Sequence, residues 1–513
     1  MSDPPPRGPR RWWALGALTV TMIVLGFDLT ILNVALPTLA VDLGADTAAQ
    51  QWMIDAFLVV FAAALLPAGL LGDRHGRRRM LVTGLVILLA GSLLGMCADG
   101  PGLVIAARAV MGLGAALVSA LSVAVLPSLF GPGERTRAIA TLTTALALGM
   151  PIGPLIGGWL LDHYWWGAIF LINVPLLALG IAACLLLLPE TRNPAAPSFD
   201  PLTCALSAGG LGALVLGLTE GPARGFADPL VAGALATAAA LLTLLAARER
   251  RAAAPLLRIG LLRNPGFGWN AAVGALTGFI LAALIFVLPQ YLQSVHDHDA
   301  FGAGLRLMPM LGGVVLAARG CQPLVRQFGS RGVIATGLVL LCFAGVLGST
   351  TQVDSGYGLT AVWLAVAGLG SGLALVPATD AALDALPAAH SGVGAGLLMT
   401  LRQVGGALGV ALLGSLLARV YRGHLDTGGL SPEATATSQE SVSAARLLAA
   451  RTGSAELAEA ARTAFVHAMS VTLYVCAIAA LAAALLAGLL LPQRRAPAAV
   501  LTAEASAEGE TRT

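Results

Sequence analysis

Three ionisable side chains stand inside apolar runs of this 513-residue chain: Asp28 in Leu25-Gly-Phe-Asp28-Leu-Thr30-Ile-Leu-Asn33-Val-Ala-Leu-Pro37, Asp55 in Gln51-Trp52-Met-Ile-Asp55-Ala-Phe57, and Arg108 ahead of Met111-Gly112. A charge near the middle of a membrane span costs about 2.5–3.5 kcal/mol on insertion scales, so such groups are functional candidates by default. Burial disfavours the charge of a carboxylate and a neighbouring guanidinium favours it, so two acids and one arginine can be poised to load and release a proton. A lipophilic cation could compete for the same negative charge, and that exchange is antiport in outline. Plainer readings stand beside this one. Asp28 could be a fixed partner of Arg108, with Thr30 and Asn33 capping local backbone; Asp55 could be a helix-start carboxylate at the interface; Arg108 could snorkel outward.

Stepping from these residues to the elements that must hold them, 57% of the chain is hydrophobic and only 11% is charged, against roughly 25% charged in a soluble domain. The apolar runs are about 17–25 residues long, the length of a helix crossing the ~30 Å hydrocarbon layer. Fourteen such helices are read, centred near 25, 61, 89, 114, 149, 178, 211, 238, 280, 311, 341, 369, 406 and 478. At 1.5 Å per residue, Asp28 lies roughly 13 Å and Asp55 roughly 6–8 Å below the outer edge, with Arg108 between them. Arginines gather in alternate loops, at Arg74 to Arg79, Arg135 and Arg137, Arg248 to Arg263, and Arg326 and Arg331. The positive-inside rule makes those loops cytoplasmic and, with an even count, both termini as well. Residues from about 421 to 464 form the one long polar excursion, expected outside and partly helical. The tail 496–513 is short and polar.

All 30 basic residues are Arg. A Walker phosphate loop and a Schiff-base cofactor each need lysine, so both are excluded. No cofactor or metal is expected, the net charge of +3 gives no sign of nucleic-acid binding, and no nucleophile-and-base set marks an enzyme. His296-Asp-His-Asp299 has metal-ligand spacing but falls in a short external turn and reads as an incidental polar loop.

A weak internal echo relates Leu71, Gly76 and Arg78 to Leu324, Gly329 and Arg331 at an offset of 253 residues. The same offset carries the region of Gly153 onto Gly405, Gly406 and Gly409. Parallel repeats of this kind place a cavity between two bundles near the midplane.

The loop Gly69-Leu-Leu-Gly-Asp73-Arg74-His-Gly76-Arg77-Arg-Arg79 resembles the signature of the major facilitator superfamily between spans two and three. Its Asp73, with Arg74, Gly76 and Arg77, suits a gate, the carboxylate resting against the positive end of a helix in the other bundle; arginines that only set orientation are the plainer reading. Gly149-Met-Pro151-Ile-Gly153-Pro154-Leu-Ile-Gly157-Gly158 resembles the signature that sets drug antiporters apart, with Ala140 where that pattern opens on glycine. Its glycines form a stripe that lets backbones approach, expected to seal the contact between bundles; ordinary close packing is the alternative. Arg108 resembles an arginine linked to proton coupling, with Met111 where glutamine is commoner.

Asp28-x-Thr-x2-Asn33-Val-Ala-Leu-Pro37, Trp166-Gly-Ala-Ile-Phe-Leu-Ile-Asn173-Val-Pro175, Leu288-Pro-Gln-Tyr-Leu-Gln293 and Arg402-Gln403-x-Gly-Gly-x-x-Gly409 resemble segments of the fourteen-spanner drug:proton antiporters. Asp55 and Trp165-Trp166-Gly resemble the branch that exports quaternary ammonium compounds and viologens. The resemblance implies an all-α membrane fold of two six-helix bundles, at 1–190 and 263–495, with two linker helices inserted at 191–262. It implies proton-driven export of lipophilic cations by a plasma-membrane protein, expected as a monomer in the bilayer. Asp28, Asp55 and Arg108 would couple the proton; Asp28, Asp55, Arg402 and Gln293 would line the cavity. Export of one specific metabolite, such as a self-made antibiotic, is the other outcome the resemblance leaves open.

Overall fold

The computed structural model describes residues 10–45, 47–192, 200–251, 259–298, 300–387, 391–428 and 430–492, and all its regular elements among them are helical. In chain order they are α1 (Arg10–Asp28), α2 (Ile31–Asp42), α3 (Thr47–His75), α4 (Arg77–Met96), α5 (Pro101–Leu129), α6 (Pro132–His163), α7 (Ala168–Leu171), α8 (Asn173–Leu187), α9 (Pro201–Arg224) and α10 (Pro229–Arg251). After these come α11 (Pro265–Gln290), α12 (Ala300–Arg306), α13 (Met308–Ser349), α14 (Tyr357–Asp384), α15 (Ser391–His424), α16 (Pro432–Glu440), α17 (Val442–Thr452) and α18 (Ala455–Leu490). The starts follow local chemistry. Proline opens α5, α6, α9, α10, α11 and α16, at a position where its missing N–H would have had no helical partner. Asp200 caps α9 by accepting from the Leu202 N–H. Hydrogen bonds from Arg248 and Thr203 hold its carboxyl down at about 2, so the same carboxylate clasps the end of α10 to the start of α9.

Twelve helices among the described residues are long and apolar enough to cross a membrane. The sequence reading expected fourteen, and the difference arises at two places. The first run is broken at Leu29–Thr30 into α1 and α2, each of them short, and α13 joins two expected helices into one element bent at Gly329 (φ 78°, ψ 159°). The polar excursion expected at 421–464 is mostly helix: α15 runs on to His424, α16 and α17 follow, and α18 begins at Ala455. Asp297, in the turn after α11, receives Arg446 of α17 and Arg462 of α18 and so ties that excursion down.

Helices α1 to α8 pack mainly among themselves, as do α11 to α18. The two sets meet where α15 crosses α3 and α5 and where α6 meets α13 and α14, while α9 wedges between α3 and α15 with α10 on its back. Lipid tails are as apolar as leucine, so close van der Waals contact rather than hydrophobic expulsion holds such helices together. Gly149 lets α6 approach α1 so closely that a Cβ there would lie 2.2 Å from the Ile23 carbonyl oxygen. Gly405 and Gly409 do the same for α15 on α11, each 2.2 Å from a backbone carbonyl, of Ala275 and Phe279. Gly76 (φ 104°) and Gly329 (φ 78°), the pair the internal echo linked, both adopt the positive φ that disfavours a side chain.

Candidate functional site

The break after α1 is set by α6. Pro154 has no N–H to give the Met150 carbonyl four residues back, and the Thr30 hydroxyl donates to that oxygen instead at 2.7 Å. Gly153 makes room, since a Cβ there would sit 2.2 Å from the Thr30 hydroxyl oxygen. This exchange ends α1 at Asp28, which is 1% exposed. Asp28 Oδ1 accepts from Asn173 Nδ2 of α8 at 2.7 Å, and Oδ2 is buried with no donor among the described residues. Arg108, on α5, reaches the backbone oxygen of Asp28 at 3.4 Å and that of Met53 at 3.1 Å. Its guanidinium lies 4.4 Å from the centre of the Phe57 ring. The fixed Asp28–Arg108 ion pair of the plainer reading is therefore not formed. The carboxylate is held by an amide, and the arginine grips backbone and an aromatic face.

Arg108 also bridges to the second acid, because Met53 and Phe57 flank Asp55 on α3. Asp55 is 4% exposed, buried well inside α3 rather than placed at its interfacial start. The carboxyl of Glu220, on α9, lies within hydrogen-bonding reach of it. Asp55 Oδ2 and Glu220 Oε1 are both buried without a donor among the described residues, while Glu220 Oε2 takes the guanidinium of Arg224. Two carboxyls can hydrogen-bond only when one carries a proton. Glu220 was missed in the sequence. Its signal was a lone carboxylate in an otherwise apolar run, with Arg224 at the four-residue spacing of an ordinary helix pair.

On the arginine-rich face two contacts join the helix sets. Asp73, 3% exposed, accepts from Arg77 through Oδ1 at 2.8 Å and from the Val393 N–H through Oδ2 at 2.9 Å. Val393 lies in the first turn of α15, so the carboxylate meets the positive end of a helix from the other set. Gly76 is forced by its positive φ and by the Glu190 carboxylate against its α-carbon, and Arg74 is exposed. The second contact is Arg135 of α6, which donates to Asp380 at 2.6 Å and Asp384 at 2.8 Å at the end of α14. Thr136 adds a 2.5 Å bond to Asp380.

The described residues thus bring together two sets of helices, buried acids and a carboxylate-to-helix clasp between the sets. The chain matches the Major Facilitator Superfamily over residues 18–410. It belongs to that superfamily. It is therefore a membrane transporter rather than an enzyme. Curated relatives include the multidrug efflux pump LfrA of Mycolicibacterium smegmatis, 30% identical over 93% of this chain and 96% of the relative. Another is the tetracenomycin C resistance and export protein of Streptomyces glaucescens, 33% identical over 80% and 76%. The human organic anion transporter MFSD10 shares the fold, with a TM-score of 0.59 at 15% identity, covering 92% of this chain and all of that one.

Against that superfamily frame, several expected site residues fall elsewhere. Gly149, Gly153 and Gly157 were expected to seal the contact between bundles, but they pack on α1 and α2 of their own set, against Ile23, Thr30 and Ile31. The reason is rotational: α6 turns its small-residue face to α1 and meets α13 and α14 elsewhere on its surface. Gly158 has open space before it, and Pro154 acts through the carbonyl it frees. Arg402 lies on α15, its backbone and stem against Gly278 of α11, and forms no ion pair or hydrogen bond among the described residues. Gln293 is exposed in a π-helical turn (Tyr291–Val295) beside α17, where its backbone oxygen accepts from Arg446, and is not brought to the acid cluster. The His296 turn is organised by a bond between His296 and the Tyr291 hydroxyl at 2.8 Å; Asp299, the side chain of Pro151 and the tail 496–513 lie outside the described residues.

Proposed function

We propose that this chain is a proton-coupled antiporter that exports lipophilic, cationic drugs across the plasma membrane. One observation carries the reading. The buried cluster holds three carboxylates, Asp28, Asp55 and Glu220, and one guanidinium, Arg108; even with the exposed Arg224 pairing Glu220 from the end of α9, one negative charge is in excess. Inside a membrane that charge has to be balanced, either by a proton or by a cationic cargo, and a site that accepts one or the other exchanges them. With 100 mV across the membrane each entering proton contributes about 2.3 kcal/mol.

The same reading takes the protein as a monomer with fourteen passes and both termini cytoplasmic. In it α1 with α2 makes one pass and α13 makes two, hinged at Gly329. The bundles are residues 1–190 and 263–495, and α9 with α10 is the insertion between them. Asp73 with Val393, and Arg135 with Asp380 and Asp384, close the cytoplasmic side and open in alternation with the outer side.

The test is reconstitution in liposomes under an imposed pH gradient, following efflux of ethidium or a viologen by the wild type and by Asp28→Asn. Equal gradient-driven transport would remove Asp28 from coupling. For Asp55→Asn the expected outcome is selective loss of dicationic substrates; uniform loss across neutral and charged compounds would contradict it. A second reading, export of one specific metabolite, is supported by the name of the tetracenomycin C exporter among the relatives, and a substrate panel on expressing cells separates a broad from a single-compound profile.

A further inference from the structure

A cleft of about 530 Å³ opens between the two helix sets, walled by α1 and α6 on one side and α13 on the other. Its polar lining is Arg137, Arg319, Gln322, Thr19, Thr141 and Thr144. None of these is a carboxylate. Arg137 and Arg319 are both exposed, and neither forms an ion pair among the described residues; Arg137 stacks over Trp12 at 5.1 Å. Asp380 and Asp384, at the end of α14, are already held by Arg135 and Thr136. Thr144 turns a buried hydroxyl with no partner among the described residues to the same region.

Position makes the arginines informative. Arg319 is ten residues from Gly329 and eleven from the start of α13, about 15 Å from either end at 1.5 Å per residue. Arg137 is five residues into α6, roughly 8 Å from its end by the same rise. A guanidinium at mid-bilayer depth requires a counter-charge or water. Here Arg319 at that depth and Arg137 nearer the start of α6, with three hydroxyls and an amide, face a cleft whose lining holds no anion. Planar guanidiniums grip carboxylate and phosphate oxygens in pairs, and the cleft's remaining walls are apolar.

We propose that this cleft binds the oxyanion of an amphiphile, a carboxylate or phosphate group carried on an apolar body, with Arg319 and Arg137 as its two cationic contacts. This is a site for the opposite charge to the one the buried acid cluster takes, and it stands whether or not that cluster exports cations. Two sources present this chemistry: an acidic cargo entering from the membrane and the headgroup of an anionic phospholipid.

The experiment uses the full-length protein in a neutral detergent with two probes. One is 11-(dansylamino)undecanoic acid, followed by fluorescence titration, with its methyl ester as the uncharged control. The other is dioleoylphosphatidylglycerol, followed as retained lipid by native mass spectrometry. Wild type is compared with Arg319→Gln, Arg137→Gln, Arg319→Lys and Arg331→Gln, the last removing an arginine of α13 just past the Gly329 bend and outside the cleft. A wild-type thermal unfolding midpoint and a monodisperse elution profile report that each variant is folded. The expected result is at least a tenfold weakening of one probe by either glutamine variant, partial rescue by Arg319→Lys, and no change for the ester or for Arg331→Gln. Weakening of the dansyl acid alone assigns the cleft to cargo, weakening of lipid retention alone assigns it to a headgroup, and weakening of both assigns it to either source. Both probes bound within twofold of wild type by folded Arg319→Gln and Arg137→Gln proteins would overturn the proposal, as would an equal loss of the ester.

Discussion

The two halves of this transporter are built on the same backbone plan and charged in different ways. Gly76 and Gly329 turn the chain with the same unusual φ. The glycines of α6 pack on α1 as those of α15 pack on α11. Yet the first half, with α9 docked on it, buries Asp28, Asp55, Glu220 and Arg108, while the corresponding interior of the second offers Arg402 with no acid partner among the described residues. Backbone approach is a matter of residue size and is easily repeated. Buried charge is costly, and one copy of it suffices to bind a proton. On the proposed antiport reading, the comparison makes the second half the frame against which a first half carrying the titratable groups moves.

The sharpest way to break that comparison is to remove the acid held by Asn173. Asp28→Asn is expected to reduce proton-driven ethidium efflux by about 100-fold or more, a barrier change of ~2.7 kcal/mol or larger, with passive binding of ethidium retained; liposome efflux under a set pH gradient measures it. Next in size are the two glycine contacts. Gly149→Leu and Gly409→Leu each drive a side chain into a facing carbonyl, and overpacking of this kind costs about 1–3 kcal/mol or more. Similar losses of thermal stability in detergent are expected for both, and a large loss for only one would show that the halves are not built alike.

Glu220→Gln tests whether the inserted helix belongs to the active half. It removes a charge while keeping the shape, so efflux of a divalent viologen is expected to fall about tenfold, 1.4 kcal/mol, with ethidium changed less than threefold. Equal effects on both cargoes would return Glu220 to a packing role. Asp73→Asn keeps the geometry of the clasp but loses the charge on its bond to the Val393 N–H. Charge-assisted bonds contribute about 1.5–3 kcal/mol and neutral ones about 0.5–1.5. The labelling rate of a Leu148→Cys reporter, on the α6 wall of the cleft between the helix sets, by a membrane-impermeant maleimide is therefore expected to rise several-fold. The smallest effect is expected at Arg402→Gln, whose pH-driven efflux should stay within about threefold of wild type by the transition-state arithmetic of a change below 1 kcal/mol; a loss as large as that of Asp28→Asn would place chemistry in the second half and end the comparison.

Much of the fold was legible beforehand because each helix is set by its own residues. Run lengths marked the helices and arginine-rich loops their ends, and the carboxylate of Asp73 was expected against a helix start, where the Val393 N–H meets it. The misreadings have a common cause. The Gly149 stripe was expected between the bundles and packs within one, Asn173 was not foreseen as the partner of Asp28, and Glu220 was passed over. In each case the residues involved were identifiable, but the face they turn and the partner they meet depend on how whole helices are rotated against one another.

That division is physical. Insertion of a segment into a bilayer sums transfer free energies residue by residue, and turns obey local backbone sterics, so the sequence alone determined the helices, their loops and the small set of ionisable groups kept among them. Which of those groups touch was decided only by packing between distant segments, with 145 positions separating Asp28 from Asn173 and 320 separating Asp73 from Val393. Such contacts are fixed by the shape of the assembled bundle, which no single stretch of chain encodes.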